Sequence, residues 1–298
     1  MKNWQNKYWK MMLAENFDAA IPLKLNNFPG SFYKYRALSE RTIDILEKNY
    51  IWLAEIASLN DPFECSIQFD NNECLRKYYG SQDFHDLFVQ MTDKALSSAE
   101  IRLLTKSQKP YEEYIKICAA KNIPLKLSPE QQLSKVQDRW SEIISETNRK
   151  LRICSFSLNN DSLLLWSHYA EEHKGICIEY DLLDNDIARA YIQPVIYSSK
   201  VPKIGIFEDY NTIQMVASSL IKSKEWEYEQ EWRITIFKQS ENFPQKLQVP
   251  KPVAIYLGTR FEANNEELKE KLYQFAAMNN IPLYPMKKHP QEFRLIRG

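Results

Sequence analysis

Residues 71–150 of this chain lose the strand-forming pattern found on either side, and that gap decides what the rest can build. The stretch is polar and helical in character. His85–Leu104 reads as one or two helices and Pro110–Lys121 as another. Ser128-Pro129-Glu130-Gln131 is a helix start, with a capping Ser, Pro at the first helical position and Gln three residues after the cap. That helix is expected to run to about Lys150. Short β-patterned runs lie before and after it. Helices and strands alternate too irregularly for a parallel doubly wound sheet. The expectation is one α+β domain over 1–298, with an all-helical module inserted at 71–150.

Before the gap, residues 1–13 read as a short helix serving as a packing arm, and 14–31 as irregular chain around Pro22, Pro29 and Gly30. Phe32–Arg36 is a strand with Tyr33 and Tyr35 on one face and Phe32, Lys34 and Arg36 on the other. Ser39 caps a helix to about Asn49, and Ile51–Ala54 returns as a strand. Asn60-Asp61-Pro62 makes a turn, because these side chains bond their own backbone. That turn leaves Glu64 on the surface. After the gap, Leu151–Ser157 is a strand ending in Ser155-Phe156-Ser157, and Asp161 caps a short helix containing Trp166-Ser167-His168-Tyr169. Lys174–Tyr180, Val195–Tyr197 and Val253–Gly258 are further strands, with 210–223 and Asn265–Asn279 helical. Pro282–Tyr284 and Glu292–Ile296 are the last candidate strands.

The chemistry concentrates at Lys224–Ile236. From Glu229 on this stretch reads as a strand, with Glu229, Glu231 and Arg233 on one face and Trp232, Ile234 and Ile236 on the other. Two carboxylates at i and i+2 repel unless a cation, a proton or a ligand hydroxyl sits between them. Arg233 and Lys224 are the expected neighbours on a solvated face. Lys222, Lys224, Lys287 and Lys288 read as solvated surface.

Composition excludes several classes. Lys+Arg and Asp+Glu are 39 each, so no overall field draws the chain to nucleic acid or membrane. With 6 Gly and no Gly-x-Gly, a glycine-rich phosphate loop has nothing to be built from. The 5 Cys are widely spaced without Cys-x-x-Cys, which fits buried reduced thiols in a cytoplasmic protein rather than a disulfide frame or zinc site. No apolar run approaches the length of a membrane span. No Ser lies in Gly-x-Ser-x-Gly, and His168 and His173 lack partners at ligand spacing with supporting carboxylates, so neither a hydrolase triad nor a zinc site is expected. His168 beside aromatics reads as a hydrogen-bonded structural residue.

Six blocks, Tyr33-Lys34-Tyr35-Arg36, Leu59–Glu64, Cys154–Ser157, Trp166–Ala170, His173–Glu179 and Trp226–Arg233, occur in an order that resembles the 2971 family of domains of unknown function, over about residues 32–260. The succession of Arg, Ser-x-Ser and Glu-x-Glu on separate strands is also similar to the arginine–serine–glutamate class of ADP-ribosyltransferases. That resemblance implies a mixed or antiparallel split β-sheet core and NAD as substrate. It implies Arg36 on an NAD phosphate, Ser155 and Ser157 at the nicotinamide-ribose pocket, Glu231 as the catalytic glutamate and Glu229 as the residue that recruits or activates the acceptor. Phe156 stands where that class commonly has Thr. Tyr33, Tyr35 and Trp166 are candidates for stacking on nicotinamide or adenine, and His168 and Tyr169 join them as candidate binding residues.

In this reading the protein is a bacterial enzyme, a toxin or anti-phage effector, that transfers ADP-ribose to a protein or nucleic-acid acceptor. Two alternatives stay open. One is a nucleic-acid-processing enzyme whose Asp61, Glu64, Glu229 and Glu231 hold a divalent metal. The other is a non-catalytic binding protein that keeps the pocket as a sensor.

Overall fold

Alternation of side chains along Phe32–Arg36 produces a strand that buries both faces, and the computed structural model sets it in the middle of a nine-stranded sheet. The structure describes residues 3–125, 128–204, 216–238 and 245–298. In chain order the sheet strands are β1 (Phe32–Arg36), β2 (Ala54–Glu55), β3 (Leu151–Ser157), β4 (Ile176–Tyr180), β5 (Ile192–Pro194), β6 (Glu231–Phe237), β7 (Ala254–Leu257), β8 (Leu283–Lys288) and β9 (Leu295–Arg297). They lie side by side as β9-β8-β7-β4-β1-β3-β6-β5, with β2 added alongside β3. The β7–β8 pair is parallel and the other pairs are antiparallel. The α+β class and the mixed strand directions are those expected. The strands form one continuous path rather than two halves, because β1 pairs on both edges.

Two units divide the chain. The first comprises Met1–Cys65, Lys150–Lys200 and Val216–Gly298, and contains the sheet. One sheet face carries Phe32, Phe156, Trp232 and Ile178, packed with Ile43 and Leu46 of the helix Glu40–Glu47 and with Leu272 and Phe275 of a C-terminal helix, Glu266–Asn279. The opposite face carries Tyr35, Cys177 and Tyr256 against Leu165 and Trp166 of the helix Leu163–Tyr169. All five cysteines are buried and free. No helix among the described residues is long and apolar enough to cross a membrane.

The second unit is Ser66–Arg149 with Val201–Met215, of which 201–204 are described. Its helices are Asn71–Gly80, Gln82–Thr92, Ser98–Lys106, Pro110–Ala120 and Pro129–Lys150. Leu75, Tyr79, Phe84, Phe88, Leu104 and Ile117 form their common core. The expected cap at Ser128 is present in both directions: Gln131 N donates to Ser128 Oγ (3.3 Å), and Ser128 N to Gln131 Oε1 (2.9 Å).

Several local expectations are corrected. Residues 17–25 are helical despite Pro22, because Ala20 and Leu23 pack against Tyr8, Trp9 and Val195. Lys24 from that helix donates to the carbonyls of Arg189, Ala190 and Ile192. Ser162 caps the helix assigned to Asp161, accepting from Leu165 N. Of the helix expected over 210–223, residues 210–215 lie outside the described residues. Ile221–Ser223 is a strand, parallel to Ile196–Ser198.

Between the helix ending at Tyr169 and β4, Glu171, Glu172 and His173 adopt φ of 48°, 53° and 69° in succession. Such a run is costly for L-residues. Close approach follows it: Gly258 N donates to Gly175 O (3.0 Å), and a Cβ on Gly258 would lie 2.0 Å from the His173 carbonyl oxygen. Backbone cannot yield as a side chain does. Gly258→Ala is therefore expected to lower stability by about 1–3 kcal/mol, read from urea unfolding; a loss within experimental error would show that this loop moves freely.

Candidate functional site

Register across the central strands builds one row of polar groups. Tyr33 of β1 pairs with Glu179 on β4 and Ser157 on β3, and Ser157 pairs with Glu231 on β6. One pleat away, Arg233 pairs with Ser155. These side chains share the sheet face opposite Phe32, Phe156 and Trp232. All of them but Glu179 border a cavity of about 140 Å³ lined by Tyr33, Tyr35, Asn60, Glu64, Ser155, Ser157, Tyr169, Lys222, Glu229, Glu231 and Arg233.

The strand carrying the two glutamates begins later than its alternation suggests. Lys224–Glu229 is a 3-10 turn and Gln230 adopts φ 46°, so β6 starts at Glu231. Glu229 therefore enters the cavity from a turn, not from the strand. The backbone N–H of Glu231 donates to the buried Tyr197 hydroxyl (2.7 Å), which fixes the strand's first residue. Lys222 pairs in register with the same Tyr197.

Cations occupy the space between the carboxylates. Lys222 Nζ is 2.6 Å from Glu229 Oε2 and 2.9 Å from Glu231 Oε2. Arg233 uses all five of its N–H donors. Its Nε donates to Glu231 Oε1 (2.6 Å), and one terminal nitrogen donates to Glu231 Oε2 (3.1 Å) and Glu64 Oε2 (3.0 Å). The other bonds Glu64 Oε1 and the Ser219 carbonyl (2.6 Å). Arg233 and Glu231 are 1% and 3% exposed, so these bonds form away from water and are strong. The Tyr169 hydroxyl donates to Glu229 Oε1 (2.9 Å) and accepts from Asn60 Nδ2 (3.1 Å). Ser157 Oγ donates to the Glu229 carbonyl (2.6 Å).

This arrangement pulls the two carboxyls apart in acidity. Burial pushes Glu231 up, but Arg233, Lys222 and a bond from Ser155 outweigh it and hold the group below the ordinary carboxylate range. Burial dominates at Glu229; Lys222 opposes it, Glu231 adds to it, and the group ends above its ordinary value. Burial and Glu229 together push the Tyr169 phenol up. The site thus presents a fixed anion beside a carboxyl that holds its proton more readily.

Seven of the sequence-assigned residues meet here: Tyr33, Tyr35, Ser155, Ser157, Tyr169, Glu229 and Glu231. Three do not line the cavity. Arg36 alternates with Tyr35 and falls on the other sheet face, toward Tyr180 and Tyr50; its buried Nε has no partner among the described residues. The strand reading already put Arg36 opposite Tyr33 and Tyr35, and the pleat enforces that separation. Trp166 is fully buried, donating Nε1 to the Asn160 carbonyl (2.8 Å) and standing edge-on to Tyr35 at 5.2 Å, so it supports the wall from behind. His168 is exposed.

Lys222 and Asn60 are not foreseen at the site, and Glu64 is grouped with Glu229 and Glu231 only in the metal-dependent alternative. Lys222 is buried rather than solvated, and Glu64 pairs with Arg233 rather than lying on the surface. The turn at Asp61 forms as expected, with Oδ1 accepting from Phe63 N (2.9 Å). The signal for Lys222 was the carboxylate pair itself, which required a cation without specifying its position in sequence.

No curated protein and no solved structure matches the chain. Residues 165–234, which carry Tyr169, Lys222, Glu229, Glu231 and Arg233, match the family model described as protein of unknown function (DUF2971), so over that segment the resemblance read from the sequence blocks holds.

Proposed function

We propose that this cavity receives the nicotinamide-ribose end of NAD and that the protein is an ADP-ribosyltransferase-type enzyme. One observation carries the reading: the strands bearing Tyr33, Ser157 and Glu231 are adjacent, and those three residues stand in register on one cavity. The acceptor of ADP-ribose is open between protein and nucleic acid, as is a toxin or anti-phage role. At about 140 Å³ the cavity is below the roughly 300–1,000 Å³ of sites that engulf a whole ligand. It encloses the nicotinamide end, and the diphosphate and adenosine lie outside it. Arg36, on the opposite face, is not assigned to the phosphate.

The residues supply a charge-matched reaction. The bond between ribose C1′ and the nicotinamide nitrogen breaks, its electron pair leaves with nicotinamide, and positive charge grows on the ribose. Glu231, kept ionised by Arg233 and Lys222, faces that charge as a preorganised anion. The acceptor's lone pair then forms the new bond to C1′. Its proton passes to Glu229, whose raised affinity for protons suits it as the base. Tyr33 and Tyr35 offer ring surface to the nicotinamide.

The metal-dependent alternative draws less support, because every carboxylate oxygen of Glu64 and Glu231 already accepts from Arg233 or Lys222. The test is nicotinamide release from NAD by the purified protein with cell lysate as acceptor source. Glu231→Gln is expected to reduce release about 10²–10³-fold with the fold retained. Absence of release by the parent protein, together with no NAD-induced rise in melting temperature, would sink the proposal; a thermal rise without release would select the sensor reading.

A further inference from the structure

Glu229 and Glu231 face the first cavity, and the residue between them turns the other way. Gln230, at φ 46°, borders a second and larger cavity of about 420 Å³ in the same unit. That volume lies within the range of small-molecule sites. Trp4 and Trp232 stand 6.1 Å apart in its wall, inclined at 39°. Trp232 is buried and Trp4 half-buried, so Trp4 offers ring surface to an occupant.

The polar part of the wall is made of amides. Gln5, Asn27 and Gln230 all line it. Asn27 Nδ2 donates to the Leu23 carbonyl (2.9 Å), which leaves its Oδ1 as an acceptor. The side-chain amides of Gln5 and Gln230 have no hydrogen-bond partner among the described residues, so each presents one donor and one acceptor edge. An amide pairs in two-point fashion with a group that displays a donor and an acceptor side by side. Charge narrows the choice further. Among the described residues no Lys or Arg lines the cavity, and the Glu231 carboxylate at its edge is already paired with Arg233 and Lys222, so an anionic ligand finds no partner cation there.

We propose that this cavity is a second binding site, for a planar, uncharged nitrogen heterocycle with an amide or amidine edge. The ring stacks on Trp4, and Gln230 and Gln5 pair with its polar edge. A free nucleobase or nucleoside has this chemistry, and so does nicotinamide. The inference stands on the second cavity alone and does not depend on NAD cleavage in the first.

Calorimetric titration of the full chain with adenosine, cytidine and nicotinamide separates the sources, with AMP as the charged control. At least one uncharged heterocycle is expected to bind saturably, and adenosine, if it binds, more tightly than AMP. Gln230→Leu is expected to weaken binding about tenfold, and Gln5→Trp to block it by filling the cavity. Gln5→Ala provides a milder change should the Trp variant fail to fold. Tyr169→Phe, in the first cavity, is expected to leave the affinity for adenosine and cytidine unchanged. No saturable heat with any of the three up to millimolar concentration overturns the proposal. AMP binding as tightly as adenosine does the same, as does saturable binding of adenosine or cytidine that both Gln230→Leu and Gln5→Ala spare.

Discussion

Replacing Arg233 by Leu is expected to lower the unfolding free energy by about 3–5 kcal/mol at pH 7.5. The guanidinium satisfies Glu64 and Glu231 together, and both carboxylates are almost wholly shielded from water. Leu fills much of the volume but leaves two buried anions, with Lys222 still paired to Glu231 and nothing replacing the guanidinium on Glu64. The loss has a pH signature. In the parent protein Glu231 has a folded pKa below its unfolded value of about 4.3. Its ion pairs therefore stabilise fully above that unfolded value, and the contribution fades as pH falls toward the folded one. In the variant Glu231 loses the larger of the two cationic influences that keep it ionised, so it takes up a proton at higher pH. The deficit should shrink between pH 7.5 and pH 5. Urea unfolding at the two pH values measures it; a deficit below about 1 kcal/mol at pH 7.5, or one that grows on acidification, would contradict the role given to Arg233.

Lys222→Met is the second large effect, at about 3 kcal/mol. Met keeps the length of the side chain and removes the charge shared by Glu229 and Glu231. Without it the two carboxylates face each other directly, and Glu229, already raised by burial, is pushed higher. Adding Glu229→Gln to this background removes one of the two charges, so the double variant should recover part of the loss. The coupling between the two positions is expected at about 1–3 kcal/mol. Additive losses in the double-mutant cycle would mean that Lys222 stabilises the fold independently of Glu229. Its ammonium also stands 4.9 Å from the Trp226 ring, a contact that both variants lacking Lys222 lose equally and that cancels in the cycle.

What the sequence revealed, and what it hid, follows from the range of each interaction. Phe32–Arg36 and Leu151–Ser157 were legible to the residue, because alternation and β-branching act locally. The Ser39 cap was legible for the same reason, and its hydroxyl accepts from Thr42 N. The helix over Phe17–Leu25 was not, since Pro22 argues against it and only packing from distant residues overrides that argument. At the site, chain order and strand placement brought Ser155, Ser157 and Glu231 together. Arg36 does not line the cavity, because the pleat that puts Tyr33 and Tyr35 on one face puts Arg36 on the other. Lys222 and Glu64 were invisible as partners: their bonds to Glu231 and Arg233 depend on how a parallel strand pair and an Asn-Asp-Pro turn are brought to the sheet.

The central position of β1 has a consequence for how the molecule comes into being. Its partners, Ser157 and Glu179, lie far downstream of Tyr33 in the chain. During synthesis β1 emerges first and has no partner on either edge until β3 and then β4 have left the ribosome. At about 5–20 residues per second that interval is on the order of ten seconds. The helices of Ser66–Arg149, whose contacts are local, emerge within it and can complete their own core. The sheet is thus the late product of biogenesis. The nascent Phe32–Arg36 segment, aromatic and unpaired on both sides, is the part of the chain that most needs shielding while it waits.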